Sequence, residues 1–328
     1  MHIPTRSGSC EMCRGSNFLT PILRVSEIYL SCVIQQENQA RGLNFRCNRY
    51  YDGTTPGDPT KMRSIFTRAG SLMGVRVVSA ARVSGGDLSN VLRLSLADGR
   101  SIIAKRGPLV EEEAIMLAAI HATQAPVPSV LAVEKGLMLL EDLPGSGQIA
   151  RSWAQLAEVL DHLHRPTRQQ SGWDRDHGFG PVAIPNGRTD NWVEFWAERR
   201  LCCHLPHIEP HLADRVSRLA DRLADHIPTG PQVALLHGDL WGGNILIEKD
   251  RVSGLIDPAC YFGDREVDLA MLSLFDQPPA AFYDACGLEQ GWQERQPVYR
   301  LWPLLVHVRL FGGAYHQQAS ACLDMLGL

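Results

Sequence analysis

The chain has little excess charge of either sign. Over its 328 residues, 32 Lys and Arg stand against 36 Asp and Glu, a formal net charge of -4. So balanced a surface has no general attraction for nucleic acid or for an anionic membrane, and neither is an expected partner. No run of about 18 apolar residues occurs, the length a helix needs to cross a bilayer. The opening residues lack a basic start followed by an apolar stretch and a small-residue cleavage site, so a cytoplasmic location is expected. The nine cysteines are odd in number and scattered, which fits reduced thiols better than a disulfide framework.

Hydrophobic residues make up 45% of the chain, enough to bury a sizeable core in two lobes around a cleft, or in one domain with an appendage. The chemistry concentrates in Leu235-Leu-His-Gly-Asp-Leu-Trp-Gly-Gly-Asn244 and Gly254-Leu-Ile-Asp-Pro-Ala-Cys-Tyr-Phe-Gly263. A loop that directs phosphoryl transfer needs an Asp to accept a hydroxyl proton and an Asn, further on, to hold magnesium; Asp239 and Asn244 have that spacing. From Asn244 to Asp257 the chain reads as a hairpin, with strand Ile245-Leu-Ile247, a polar turn through Lys249-Asp250-Arg251, and a return through Val252 and Leu255-Ile256. An antiparallel pair sets the residue before its first strand beside the residue after its second. Asn244 and Asp257 are therefore expected together at the open end, two oxygen donors suited to a hard cation. His237-Gly-Asp239 alone would be only a polar turn; the Asn, the hairpin and the second Asp change that reading.

Upstream, Leu92, Leu94 and Leu96 alternate with Arg93 and Ser95, a half-buried strand, and Ala97-Asp-Gly-Arg100 turns it into a second strand ending at Lys105. Gly85 and Gly86, in the preceding break, allow backbone N–H groups to approach phosphate oxygens, although two glycines in a hairpin loop are by themselves only a turn. Glu111-Glu-Glu113 opens a helix over 114–121, where acidic residues complement the helix dipole. Two short apolar runs follow Pro126 and Pro128, and Glu141-Asp-Leu-Pro-Gly145 then reads as a polar hinge. Beyond it, Leu156, Val159, Leu160 and Leu163 form one face of a helix over 152–164. Trp192, Phe195 and Trp196 fall at helical spacing as a packing stripe.

The two motifs, His237 to Asn244 and Ile256-Asp-Pro-Ala-Cys-Tyr-Phe-Gly-Asp-Arg-Glu-Val-Asp-Leu-Ala-Met271, resemble the fructosamine (ketosamine) kinase family, a branch of the aminoglycoside phosphotransferase group. Trp241 and Asp257-Pro258-Ala259 favour this branch. The resemblance covers about residues 75–317 and implies an α+β, two-lobed, protein-kinase-like fold, with a small antiparallel-sheet N-lobe (73–143) and a mainly helical C-lobe (144–328). It implies ATP and Mg2+ as cofactors. Lys105, held by Glu113, would position the phosphates; Glu141 to Leu143 would present backbone to adenine; Asn244 and Asp257 would bind magnesium; Asp239 would deprotonate the acceptor. His237 would brace the catalytic loop and Asp268 support it from below. Trp241 would offer an aromatic face to sugar or cation, the competing reading being a structural plug. Asp264 stands where many relatives have His, and Asp276-Gln-Pro-Pro279 replaces a glycine-containing turn. Both are expected near the acceptor, Asp264 as a substrate contact.

The implied acceptor is a ketosamine, phosphorylated on the third carbon of its sugar to an unstable product, which makes deglycation of amines the expected role. Two rivals stand beside it: an aminoglycoside- or choline-type alcohol kinase, and a catalytically silent nucleotide-binding protein. Residues 1–72 match nothing in the family and are expected to be a poorly ordered extension, or the result of a start placed too far upstream. Cys10, Cys13, Cys32 and Cys47 do not make a convincing zinc site, since the second pair is not Cys-x-x-Cys. Cys202, Cys203, His204 and His207 are not read as ligands either, because adjacent cysteines on a helix point apart.

Overall fold

The computed structural model describes residues 59–83, 90–145 and 147–328. Helix α1 (Pro59–Met73) leads into β1 (Val77–Arg82), β2 (Asn90–Leu96), β3 (Ser101–Arg106), α2 (Val110–Ala122), β4 (Val130–Glu134) and β5 (Leu137–Glu141). The five strands form one antiparallel sheet in the order β1-β2-β3-β5-β4, which centres β3 and its Lys105. Alternation along β2 sorts the two faces: Leu92, Leu94 and Leu96 are buried with Ile102, Ala104, Leu137 and Leu139, while Arg93 projects to the other side.

Ile65 and Ala69 of α1 are buried in that same apolar cluster. The boundary expected after residue 72 is therefore too late, because α1 covers the sheet with residues counted there as an extension. The rest of that stretch, with Cys10, Cys13, Cys32 and Cys47, lies outside the described residues, as do Gly85 and Gly86.

The second lobe contains α3 (Trp153–Leu163), β6 (His177–Phe179), β7 (Val182–Ile184), α4 (Trp192–Trp196), α5 (Pro210–Asp221), β8 (Val233–Leu236), β9 (Ile245–Glu248), β10 (Arg251–Leu255), β11 (Tyr261–Asp264), α6 (Glu266–Phe275), α7 (Ala280–Cys286), α8 (Trp292–Phe311) and α9 (Ala314–Met325). The aromatic stripe of α4 is core: Trp192, Phe195 and Trp196 are buried, and Trp192 and Trp196 pack on Tyr299 of α8. The Arg200 guanidinium, wholly buried, stacks on Phe195, Tyr261 and Trp302 and donates to Pro185 O and Asn186 Oδ1. Among the described residues no helix is long and apolar enough to cross a membrane.

Two antiparallel pairs aim the site. β8 pairs with β11, setting Leu236 opposite Tyr261, and β9 pairs with β10, setting Ile245 opposite Leu255. The hairpin reverses at Lys249 and Asp250, both left-handed with φ 50° and 62°, the backbone a two-residue turn needs to match strand twist. The loop joining β8 to β9 and the loop joining β10 to β11 consequently leave the strands at the same end. One carries Asp239 and Asn244, and the other carries Asp257.

Candidate active site

Lys105 on β3 meets a carboxylate from each lobe: its Nζ lies 2.6 Å from Glu113 Oε2 on α2 and 2.8 Å from Asp257 Oδ1. Burial alone would depress the ammonium, but Glu113 and then Asp257 outweigh it, and the pKa stands above the ordinary lysine value. The group therefore stays charged at neutral pH. Asp257 holds a left-handed backbone, φ 55°, a conformation that is strained for a residue with a side chain. Neighbouring bonds fix it there: Ile256 N–H donates to Asn244 O at 3.0 Å, and His237 Nε2–H donates to Ile256 O at 3.0 Å.

That second bond also sets the histidine tautomer. With Nε2 protonated, His237 Nδ1 is free to accept, and it takes the Asp239 N–H at 3.3 Å. Below it the fully buried Asp268 carboxylate accepts the N–H groups of His237 (2.7 Å) and Gly238 (2.9 Å), and pairs with His164 Nε2 (2.9 Å). Burial works against that carboxylate, yet these bonds hold its pKa below the usual value. Gly238 is required at its position, with φ 78° and no room for a Cβ against Ala259 O.

The Asn244 amide donates through Nδ2 to Asp239 O (2.8 Å) and Asp239 Oδ2 (3.0 Å). Its carbonyl oxygen is thereby left for another partner. Burial, with smaller contributions from Asp257 and Asp268, pushes the Asp239 carboxyl up to about 7 against the bond from Asn244. A carboxylate near neutrality is well matched to general-base work.

Between the lobes lies a cleft with ≈ 880 Å³ of empty space, open solvent included, a size that accommodates a nucleotide. Val91, Ile103, Leu140, Leu246 and Ile256 give it apolar walls, with Lys105, Glu113 and Asp257 at the polar end. Glu141 and Leu143 both line it; the Glu141 carboxylate is already engaged by Ser129 N and Oγ, so only its backbone suits a base edge. The donor set fits magnesium: one carboxylate and one amide oxygen from adjacent loops, both hard ligands, as an ion that completes its shell with water and phosphate requires.

On the outer side of the catalytic loop, Trp241 is 36% exposed. Its ring lies against Gly243, where a Cβ would collide with it, and edge-on to Phe275 at 6.0 Å. Phe275 continues to His307 at 5.2 Å, and His307 to Tyr315 at 4.8 Å. This aromatic row escapes sequence reading because α6, α8 and α9 contribute to it from distant positions. Asp264 is a correction. It is 5% exposed, accepts from Tyr299 Oη (2.7 Å) and Glu266 N–H (3.0 Å), and its carboxyl is pushed up to about 6 by burial. It is a core hydrogen-bond acceptor at the end of β11 and not a substrate contact. Glu112 was also missed: it accepts from Trp173 Nε1 (2.9 Å) and Arg175 (3.2 Å). An acidic triplet opening a helix gives no sign that its middle member is buried.

The family model for fructosamine kinase matches residues 66–327, starting within α1 and so agreeing with the earlier boundary. A Synechocystis protein provisionally named a ketoamine kinase is 34% identical over 268 residues, 76% of this chain and 90% of its own. A crystal structure of a Thermobifida fusca protein provisionally named a fructosamine-3-kinase superposes with a TM-score of 0.73 at 30% identity, covering 80% of this chain and 98% of that one. An aminoglycoside phosphotransferase solved with ADP and hygromycin B reaches a TM-score of 0.59 at 17% identity, over 80% and 98% of the two chains, and shares the fold.

Proposed function

The chain belongs to the fructosamine kinase family, and we propose that it transfers a phosphoryl group from ATP, with magnesium, to a sugar hydroxyl of a ketosamine. It is a phosphotransferase with an alcohol acceptor. The observation that carries the reading is the convergence of three separate segments: Lys105 and Asp257 pair at the polar end of an apolar-walled cleft, and Asn244, bonded through its backbone to Ile256 beside Asp257, holds Asp239 through its amide. A silent nucleotide binder would have no use for the base.

Lys105, oriented by Glu113, takes phosphate oxygens and withdraws charge from the transferring group. Asn244 and Asp257 would hold magnesium, which when bound would neutralise charge that develops on the phosphates. Asp239 orients the acceptor hydroxyl and receives its proton, while the Asn244 amide fixes the carboxylate's rotamer. The acceptor hydroxyl is the one on the third carbon, beside the ketose carbonyl. A phosphate there is readily eliminated, which returns the free amine and makes deglycation the role.

The test is magnesium-dependent ATP consumption with ribulose- and fructose-modified lysine, beside an aminoglycoside and choline. Ketosamine turnover is expected, falling roughly a hundredfold or more in Asp239→Asn, the magnitude of a lost general base. Full rate in that variant would refute the role of Asp239. Turnover of choline or aminoglycoside with none of a ketosamine would refute the acceptor.

A further inference from the structure

Helix α6 ends at Phe275, and Asp276 follows in extended backbone, φ -125° and ψ 169°. Its carboxylate turns back onto the catalytic loop: Oδ2 accepts the Gly242 N–H at 2.7 Å, and Oδ1 lies 2.5 Å from where a Cβ on Gly242 would stand. Gly242 is the third residue after Asp239, and the residue between Leu240 and Gly242 is Trp241, whose indole rests on Phe275. Asp276 and the exposed indole thus flank one short turn beside the base.

The carboxylate has no countercharge among the described residues. Among the described residues, the buried Glu112, Glu113 and Glu266 pair with Arg175, Lys105 and Arg295, whereas Asp276 has only the backbone N–H for one oxygen and no protein hydrogen bond for the other. A half-buried anion next to an aromatic face is the combination that holds an ammonium, through a charge-assisted hydrogen bond and a cation–π contact together. Resting on the ketosamine reading above, the substrate supplies such a group: the protonated nitrogen on the first carbon lies close to the hydroxyl on the third. We propose that Asp276 is a specificity-determining residue, the anionic half of a subsite that takes the substrate's cationic nitrogen against Trp241.

The experiment compares kcat/KM for fructose-modified lysine with that for its neutral ether, a 1-O-alkyl fructose in which oxygen replaces the nitrogen. In Asp276→Asn the amide oxygen can still accept the Gly242 N–H, so the turn keeps its support while the charge is gone. The cationic-to-neutral ratio is expected to fall roughly five- to tenfold, the size of a half-exposed ion pair, and to recover in Asp276→Glu. An unchanged ratio, or an equal loss on both acceptors, would overturn the proposal and leave Asp276 as a support of the turn. Should the wild type use neither sugar but an aminoglycoside, the ketosamine reading falls by itself. The same variants are then read on the aminoglycoside against its N-acetylated form, where an unchanged ratio overturns the subsite.

Discussion

Replacing Asp268 by Asn changes one atom's hydrogen-bonding sense at the point where the catalytic loop is fastened. In the wild type Oδ1 accepts Gly238 N–H, and Oδ2 accepts His237 N–H while pairing with His164 Nε2. Either orientation of an asparagine amide sets an NH2 against one of the two backbone donors, and the site is fully buried, so water cannot relieve the conflict. A buried donor left without a partner costs about 1–3 kcal/mol, and a lost bond to a charged acceptor about as much again. The sum, roughly 4 kcal/mol, is a sizeable part of a typical domain's stability. It should lower Tm by roughly 8–16 °C for a domain of this size. Because the pKa of Asp268 is held down in the folded protein, its contribution is full above the ordinary carboxylate pKa and lost as pH falls through the depressed value, so the gap between wild type and variant should close in acid. Kinetically, displacement of Asp239 should reduce kcat about a hundredfold, while KM for ATP changes little because Lys105 and Glu113 do not touch Asp268. Thermal unfolding across pH, with initial rates at saturating ATP, checks each part. A variant with Tm within a degree or two of wild type and unchanged kcat would refute the reasoning.

Asp264→Asn should behave in the opposite way. Burial raises the wild-type carboxyl from the ordinary carboxylate value to about 6, so protonation stabilises the fold below the ordinary value, and that stability is lost as pH rises through the higher one. The substitution should therefore stabilise the fold at pH 8 relative to wild type, by up to about 3 kcal/mol for about two pKa units, and raise Tm there, with no gain at pH 4 and no change in acceptor preference; an equal effect at both pH values counts against it. Truncation is the other check. A chain beginning at residue 59 keeps α1, while one beginning at residue 74 loses the burial of Ile65 and Ala69 on the sheet. Denaturant titration should show the shorter form less stable by about 2 kcal/mol or more, and equal midpoints would show that α1 contributes nothing.

The sequence carried the site better than its surroundings, for a physical reason. Asp239, Asn244 and Asp257 lie on one hairpin and the loop before it, and short-range rules of strand pairing are enough to bring them together. Lys105 and Glu113 required only a strand followed by a helix. Asp264 was misplaced because its neighbourhood is set by Tyr299, which reaches it from α8 and takes it into the core. The same long-range packing hides the row from Trp241 through Phe275 to His307, and it gives α8 a length of 20 residues through Pro297 and Pro303, where local propensity would stop it. At the other end, α1 leaves a faint pattern, since among its described side chains only Ile65 and Ala69 are buried.

The acidic triplet at the start of α2 shows how one helix can serve both lobes. Successive helical positions point about 100° apart, so Glu113 can face Lys105 while Glu112 faces the second lobe. Glu112 accepts from Trp173, whose ring stacks on Phe262 of β11 at 5.7 Å. A turn further on, Met116 Sδ accepts the N–H of Cys260, three residues after Asp257. Both ties run to the segment that carries Asp257, so α2 and that segment are held as one body, and the distances from Lys105 to Glu113 and to Asp257 are set together. If Glu113 were held by Lys105 alone, the pair would have to order α2 against solvent at a cost in side-chain and backbone entropy. With Glu112 and Met116 already fixing the helix, the lysine is positioned by two carboxylates whose own placement does not depend on it.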